Sequence, residues 1–196
     1  MLDITGEPLL RALFRQFNRV MLLMWRLGFG RYCNSPYFGY IMVLTTTGRK
    51  SGLRRRAPVN FDQDDGFVYC LAGFGEKTHW YRNLLADPRC EVWLPDGWWA
   101  GEAEAMTDPE ERMRRAHRLL IRSGFAARLF EGLDPANLSD DTLREIGARG
   151  VVRIRLTEPR SGPGGPGDLA WVWPALGAAL LGLAVLRALS RRRRAG

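Results

Sequence analysis

The chain has 196 residues, of which 46% are hydrophobic, and this predicts one folded domain with appendages. Its three cysteines, an odd number with no Cys-x-x-Cys pair, disfavour a closed disulfide framework, and with only two histidines at no metal-site spacing the sequence also disfavours a metal site. The net charge is +8, but residues 1–168 hold 24 basic and 21 acidic side chains, a balance of only +3 that disfavours nucleic acid as a partner.

The N-terminal region, residues 1–37, is predicted to contain an amphipathic helix from residue 9 to residue 29. At 3.6 residues per turn, its arginines fall in one narrow arc and its apolar side chains fill the opposite side. Such a helix either packs on the domain with its arginines in water or lies on an anionic membrane surface. The sequence leaves both interpretations open.

The middle region, residues 38–157, has the pattern of a small β-rich domain. Aromatic and β-branched runs separated by Gly, Asp and Pro turns predict six strands, at residues 40–47, 54–61, 67–72, 89–94, 98–105 and 151–156. Helices are expected at residues 79–86, 107–123, 126–131 and 140–149, with Thr107 and Ser139 as N-caps. This order of elements favours an α+β fold, a small β-barrel flanked by helices.

The composition changes after this domain. Residues 158–168 contain SGPGGPG and are predicted to be a flexible linker. The following segment, 169–189, begins with eighteen uncharged residues that would span about 27 Å as a helix, close to the roughly 30 Å of a bilayer core. With Trp171 and Trp173 at one end and the basic tail 190–196 at the other, this pattern predicts a single-pass C-terminal transmembrane helix.

This segment predicts a location in the cell membrane, with the domain on one side of it. The unpaired cysteines and the basic N-terminal helix favour a domain that faces the cytoplasm. The arginines of the tail favour the opposite orientation, because positive residues stay on the cytoplasmic side. We expect the cytoplasmic orientation.

The run LTTTGRKSGLRRRAPV, residues 44–59, places a glycine-bracketed basic turn between two predicted strands. It is not a P-loop, because its second glycine follows the Lys-Ser pair and a strand comes next. The turn could bind a phosphate-bearing cofactor or a nucleic-acid backbone, or face only water. Its glycines permit a tight turn with N–H groups aimed at an anion, and Lys50, Arg55 and Arg56 could add charge-assisted hydrogen bonds. Strand alternation separates Arg55 from Arg54 and Arg56, so they cannot all reach one ligand.

Together with LAGFG at residues 71–75 and THWYRNLLADP at residues 78–88, this run closely resembles the deazaflavin (F420)-dependent nitroreductase family. That family carries a Thr-Thr-Gly-Arg-x-Ser-Gly-x-x-Arg-x-x-Pro segment and a later Trp-Tyr-x-Asn-Leu-x-Ala-x-Pro segment. The resemblance covers about residues 38–106. It implies a split β-barrel, similar to FMN-binding and pyridoxamine-phosphate-oxidase-like proteins, and coenzyme F420 as the cofactor, with FMN as the alternative.

The resemblance also implies a set of cofactor-binding residues. Lys50, Ser51 and Arg55 would bind the phosphate and carboxylates of F420, with Arg56 as a helper. Further contacts are implied for Pro58, Gly73, Phe74, Gly75, Trp80 and Asn83. Trp80 could instead be a core anchor, and Asn83 a hydrogen-bonding residue at a helix end. Two departures from the family are the shorter loop before Trp80 and the phenylalanines Phe125 and Phe130, where characterised members have tyrosines near the substrate.

The implied activity is that of an F420H2-dependent oxidoreductase, which transfers hydride from reduced deazaflavin to a small lipophilic acceptor of the quinone or nitroaromatic type. No catalytic side chain is assigned. A membrane location would favour a lipid-soluble acceptor, with Phe74, Trp98, Trp99 and Phe125 along its route. The alternative is a membrane-tethered split-barrel module that binds a cofactor or lipid without turnover. The expected partners are the acceptor, the membrane and, as in related barrels, a second copy of the chain.

Overall fold

Six antiparallel strands form a closed barrel at the centre of the protein. The computed structural model describes residues 8–32, 34–37, 39–124 and 134–195. The strands are β1 (Ile41–Thr47), β2 (Arg54–Asp64), β3 (Phe67–Leu71), β4 (Arg89–Leu94), β5 (Gly97–Ala105) and β6 (Val151–Pro159). They follow the order β1-β2-β3-β6-β5-β4 around the barrel, and β4 pairs with β1 to close it. The split-barrel part of the predicted α+β fold is confirmed.

Side chains alternate between the inside and the outside of the barrel wall. The interior is filled by apolar residues from every strand: Met42, Leu44, Val59, Phe61, Val68, Cys70, Cys90, Val92, Leu94, Ala103, Val152 and Ile154. Val43 and Trp93 point outward and pack with Trp25 of the N-terminal helix. Because Ala57 and Val59 contact the interior cluster, Arg55 shares their inward face of β2.

Within the described residues, five helices accompany the barrel: α1 (Pro8–Arg26), α2 (His79–Ala86), α3 (Pro109–Arg122), α4 (Asp140–Ala148) and α5 (Val172–Ala195). Ser139 caps α4 as predicted, accepting a hydrogen bond from the Thr142 N–H at 3.3 Å. The N-cap of α3 is Asp108 rather than Thr107, and it accepts from the Glu111 N–H at 2.9 Å. The Pro109 ring suits the first helical position, and a carboxylate is favoured at the positive end of the helix. The helix predicted at residues 126–131 lies outside the described residues.

A buried carboxylate on β2 attaches α3 to the barrel. The Asp62 side chain is only 1% exposed, and its two oxygens lie 2.8 Å from Arg118 Nε and 2.8 Å from Arg122 Nε. Asp64 on the same strand contacts Arg115 and Arg118. The charges of three arginines of α3 are therefore neutralised by the two carboxylates on the outer face of β2.

The Pro/Gly-rich residues 160–168, which we call the strap, are hydrogen-bonded along the outside of the barrel. The Arg160 N–H donates to Trp98 O at 2.7 Å. Gly165 lies so close to the Trp98 ring that a Cβ there would be 2.5 Å from it. At the end of the strap, Asp168 forms a two-oxygen ion pair with Arg26 of α1, with a shortest N–O distance of 2.9 Å. The strap thus connects the barrel wall with the end of α1.

The predicted transmembrane helix is wrong. Among the helices of the described residues, none has the length and apolar character needed to cross a membrane. Helix α5 begins at Val172 because residues 167–171 form turns, and its uncharged part is the fifteen residues 172–186. At 1.5 Å per residue these span about 22 Å, short of the roughly 30 Å of a bilayer core.

One of the two tryptophans expected at a membrane interface, Trp173, has partners in the protein. Trp173 Nε1 donates to Leu27 O at 3.0 Å. Its ring also packs edge-on against Phe29, with centroids 5.2 Å apart. The predicted location as a single-pass C-terminal anchor in the cell membrane is wrong as well, because it depended on a helix long and apolar enough to cross a membrane and the described residues contain none.

Candidate cofactor-binding site

A tight basic turn, residues 48–52, joins β1 to β2 at one end of the barrel. The Ser51 and Gly52 N–H groups both donate to Gly48 O, at 3.0 and 2.7 Å, and the Gly48 N–H donates to Leu53 O at 2.8 Å. Gly52 has a φ of +66°, which favours glycine. A Cβ at Gly48 would lie 2.8 Å from Ser51 Oγ. The turn therefore favours glycine at position 52 through its backbone conformation and leaves little room for a side chain at position 48.

The backbone of the basic turn is largely occupied by its own hydrogen bonds. Besides the three N–H groups above, the Arg49 N–H donates to Asn83 Oδ1 at 3.2 Å and the Leu53 N–H to Ser51 Oγ at 3.4 Å. The expectation that a row of backbone N–H groups faces an anion does not fit this pattern. An anion at this turn would be bound by side chains.

Asn83 of α2 connects the basic turn to the barrel. It is 4% exposed, and its Oδ1 accepts from both the backbone N–H and Nη1 of Arg49, each at 3.2 Å. Its Nδ2 donates to Thr46 Oγ1 of β1 at 3.1 Å. The sequence motif indicated Asn83, but the roles of Arg49 and Thr46 were missed, since only their proximity in the fold reveals them.

Strand alternation divides the three consecutive arginines, as expected. Arg54 points outward and forms an ion pair with Glu91, which also accepts from Trp98 Nε1 at 3.1 Å. Arg56 points outward too: its Nη2 donates to Gly164 O of the strap at 2.6 Å, and its guanidinium lies 4.8 Å from the Trp93 ring centroid. Burial lowers the pKa of Arg56 from its ordinary value. Arg54 and Arg56 are therefore occupied on the outer wall.

Lys50 and Arg55 differ from their neighbours. Both are exposed, and neither has a hydrogen-bond or ion-pair partner within the part of the chain that the structure describes. The Ser51 hydroxyl lies in the same turn, and Arg55 Cγ is 3.5 Å from the position of a Cβ on Gly48. Two cations and a hydroxyl are thus grouped at one end of the barrel, where they can bind a phosphate or carboxylate.

This donor set fits the cofactor that the resemblance implies. A deazaflavin with a phosphate and an acidic tail needs cationic donors that no protein carboxylate has neutralised, and Lys50 and Arg55 meet that condition. Ser51 can donate a third hydrogen bond through its hydroxyl. Lys50 and Ser51 lie in the basic turn, Arg55 follows it on β2, and Asn83 is hydrogen-bonded to the turn through Arg49.

The other residues predicted for the site lie outside the basic turn: on β2, in the loop after β3 and on α2. Pro58 pairs with Val43 and points outward, on the same face as Arg56. Residues 73–75 follow β3, where Gly73 O accepts from Arg149 Nη1 at 3.2 Å and Phe74 is 39% exposed. Trp80 of α2 packs against the interior cluster of the barrel. Its contacts are those of a core anchor.

The described cysteines, Cys70 and Cys90, are buried inside the barrel. Burial raises the pKa of the Cys70 thiol far above its ordinary value and that of Cys90 to about 12. Both thiols are therefore protonated at neutral pH, and neither supplies a thiolate nucleophile. Cys33 lies outside the described residues.

A cavity of about 410 Å³ lies on the outer face of β5 and β6, away from the basic turn. The arginines that line it are paired across the strands, Arg153 with Glu104 at 2.7 Å and Arg155 with Glu102 at 2.6 Å. Since these cations already have carboxylate partners, this cavity suits an anionic cofactor less well than the basic turn does.

Part of this chain matches a family of known proteins. The family model of the F420H(2)-dependent quinone reductases matches residues 30–128, which include the basic turn, residues 73–75 and α2.

Among solved structures, an F420H2-dependent reductase is 24% identical over 58% of this chain and 92% of its own, with a TM-score of 0.40. An F420 reductase is 18% identical over 62% and 90% of the two chains, with a TM-score of 0.41. A conserved hypothetical protein of Mycobacterium tuberculosis is 19% identical over 62% and 74%, with a TM-score of 0.43. The family match covers just over half of the 196 residues, and the chain therefore belongs to the F420H2-dependent quinone reductase family, as an oxidoreductase that uses coenzyme F420 and acts on a small molecule.

Proposed function

We propose that this protein binds reduced F420 with Lys50, Ser51 and Arg55 and passes its hydride to a small lipophilic acceptor, with a quinone as the first candidate. The observation that supports this assignment is the difference in pairing among neighbouring cations. Arg49, Arg54 and Arg56 each have a partner in the protein, whereas Lys50 and Arg55 have none among the described residues. Exposed unpaired cations are suited to a ligand that brings its own negative charge.

In this proposal, side chains of the basic turn and of the start of β2 hold the anionic end of the cofactor. Bound reduced F420 supplies the hydride, so the protein needs no nucleophile of its own. Lys50 and Arg55 neutralise the phosphate and carboxylates, and Ser51 donates from its hydroxyl. The contribution of this chain is to bind, to orient and to shield the reacting ring from water.

Fewer residues than predicted are now expected to contact the acceptor. Phe74 is 39% exposed in the loop after β3 and can contact an apolar acceptor. Trp98 is covered by Gly165 of the strap and bonded to Glu91, and Trp99 packs against the interior cluster. We therefore assign an acceptor contact to Phe74 and none to either tryptophan. Phe125 lies outside the described residues.

Anaerobic turnover tests the proposal. The purified protein is mixed with reduced F420 and either a water-soluble quinone, a nitroaromatic or no acceptor, and the return of the oxidised cofactor's absorbance is followed. We expect acceptor-dependent oxidation, faster with the quinone. Tight binding of F420 without transfer to either acceptor would instead favour a binding module without turnover. The Lys50→Ala variant serves as a control, because it should lose rate at low cofactor concentration and recover it at high concentration.

The pairing of two chains stays a prediction within this proposal. Sedimentation or light scattering checks it, since a dimer would have twice the 22.2 kDa mass of one chain.

A further inference from the structure

We infer that Asn83 is a positioning residue, which holds the basic turn in its binding shape through Arg49 and Thr46 rather than by touching the cofactor. This inference rests on the proposed function, because it concerns how Lys50, Ser51 and Arg55 are presented. It is carried by a single buried amide that connects three separate elements: α2, β1 and the turn between β1 and β2.

The amide of Asn83 already has protein partners on both of its ends. Arginine and the backbone N–H can only donate, so the side of Asn83 that faces Arg49 must be Oδ1, and its two lone pairs match the two donors there. Nδ2 is directed at Thr46 Oγ1 at 3.1 Å. With the side chain 4% exposed, little of Asn83 remains available to a ligand.

These bonds control the residues beside the proposed ligands. The Arg49 N–H belongs to the peptide that begins the turn, and Lys50 is the next residue. Thr46 lies directly opposite Arg55 in the pairing of β1 with β2. Asn83 therefore contacts residues on both sides of the proposed anion site, through the backbone N–H of Arg49 and the side-chain hydroxyl of Thr46. Removing its acceptor would leave the partly buried Arg49 N–H without a partner, a cost that favours rearrangement of the turn.

The Asn83→Asp substitution separates positioning from direct contact. A carboxylate keeps both acceptor sites for Arg49, and the Thr46 hydroxyl can rotate to donate to it. The network would survive with one hydrogen bond reversed. If instead the Asn83 N–H contacted the anionic cofactor, Asp would remove the donor and add a repelling charge, so it would bind more weakly than Asn83→Ala.

F420 titration of the full-length wild type, Asn83→Asp, Asn83→Ala and Leu85→Ala, followed by fluorescence, tests these alternatives. Leu85 is a matched control, because it lies on the same helix and is 60% exposed. We expect Asn83→Ala to weaken binding about tenfold or more. Asn83→Asp and Leu85→Ala should stay within roughly threefold of the wild type. Binding by Asn83→Asp that is as weak as that of Asn83→Ala, or weaker, would overturn the inference.

Arg49→Ala extends the test to the residue through which Asn83 acts. If Asn83 works through Arg49, the Arg49→Ala/Asn83→Ala double variant should bind no more than about threefold more weakly than the weaker single variant. Fully multiplicative losses would mean that the two residues act independently, and would contradict the inference.

Amide hydrogen exchange of the cofactor-free protein provides a readout that does not depend on F420 binding. Asn83→Ala should raise the exchange rate of the Arg49 amide and its neighbours in the basic turn, and Asn83→Asp should not. Unchanged exchange in Asn83→Ala would refute the positioning role even if affinity fell. If the wild type fails to bind F420, the proposed function fails, while the exchange result still decides whether Asn83 holds the turn.

Discussion

Two sets of cations lie within a few residues of each other in the sequence, one on the outer wall of the barrel and one at the barrel end. On the outside, Arg54 and Arg56 are held by Glu91 and by the strap. At the barrel end, Lys50 and Arg55 have no partner among the described residues. Basic residues that are close in sequence therefore have different surroundings, and for Arg54, Arg55 and Arg56 the alternation of side chains along β2 decides which surroundings each has. The paired set also includes the arginines outside β2 that have a carboxylate partner, among them Arg26, Arg118 and Arg122. We expect the paired set to contribute to stability, and the unpaired set, Lys50 and Arg55, to contribute to cofactor affinity.

The largest effect is expected for the most buried partner of the paired set. Asp62→Ala removes a carboxylate that is 1% exposed and contacts two arginines of α3. We expect the free energy of unfolding to fall by about 3 kcal/mol, because both guanidinium groups lose a buried counter-charge. Urea denaturation measures this. F420 affinity should be unchanged under native conditions, and a large loss of affinity in the folded variant would contradict the division between the two sets.

Lys50→Ala and Arg55→Ala should show the opposite behaviour. Each removes a charged hydrogen bond to the cofactor, and we expect a loss of about 1.5–3 kcal/mol, roughly 10- to 150-fold in Kd. The free energy of unfolding should hardly change, since neither side chain has a partner to lose. Arg54→Ala is the matched control and should leave the Kd within about threefold of the wild type. Equal losses for Arg54 and Arg55 would show that charge alone, and not strand direction, determines binding.

The strap offers a smaller test of the paired set. Asp168→Ala removes the ion pair with Arg26, in which the two side chains are 13% and 36% exposed. We expect the free energy of unfolding to fall by about 1 kcal/mol, because the pair is bidentate but partly open to solvent. Asp96→Ala in the exposed turn between β4 and β5 is the control. A thermal melt that is the same for both variants would mean that the ion pair adds nothing measurable.

The smallest expected effect is a pH dependence of stability from Asp64. A hydrogen bond from Arg115 lowers the pKa of this carboxyl from its ordinary value of 3.8. The folded protein therefore binds this proton more weakly than the unfolded chain does, so the contribution of Asp64 is present above about pH 4 and is lost as the pH falls towards the lowered pKa. Urea midpoints measured from pH 6 to pH 3 should fall less steeply for Asp64→Asn than for the wild type. Identical slopes would count against this pair.

Much of the barrel could be predicted from the sequence, because inward and outward side chains alternate and Gly, Asp and Pro mark the turns. The separation of Arg55 from Arg54 and Arg56 followed from the same period of two. The partners of the outward arginines could not be predicted in this way. Glu91 and Gly164 are 37 and 108 residues away from the arginines that they contact, and no local pattern reports a contact at that separation.

The wrong prediction of a C-terminal transmembrane helix has a physical cause as well. An uncharged run of eighteen residues has the composition of a membrane span, but composition does not reveal where the helix begins. Gly167 and Leu169 are tied to the backbone of Trp25 and Arg26, and the first three residues of the run are used in turns. Helix α5 therefore begins later than predicted because of tertiary contacts between α1 and residues 167–169, which composition does not show.

The strap also couples the two terminal helices. Asp168 is bonded to Arg26, the last residue of α1, and Trp173 is bonded to Leu27, the residue after it. A tilt of α1 would therefore be transmitted to α5. A spectroscopic label on the exposed side of α5 would then report displacements that originate more than 140 positions earlier in the chain.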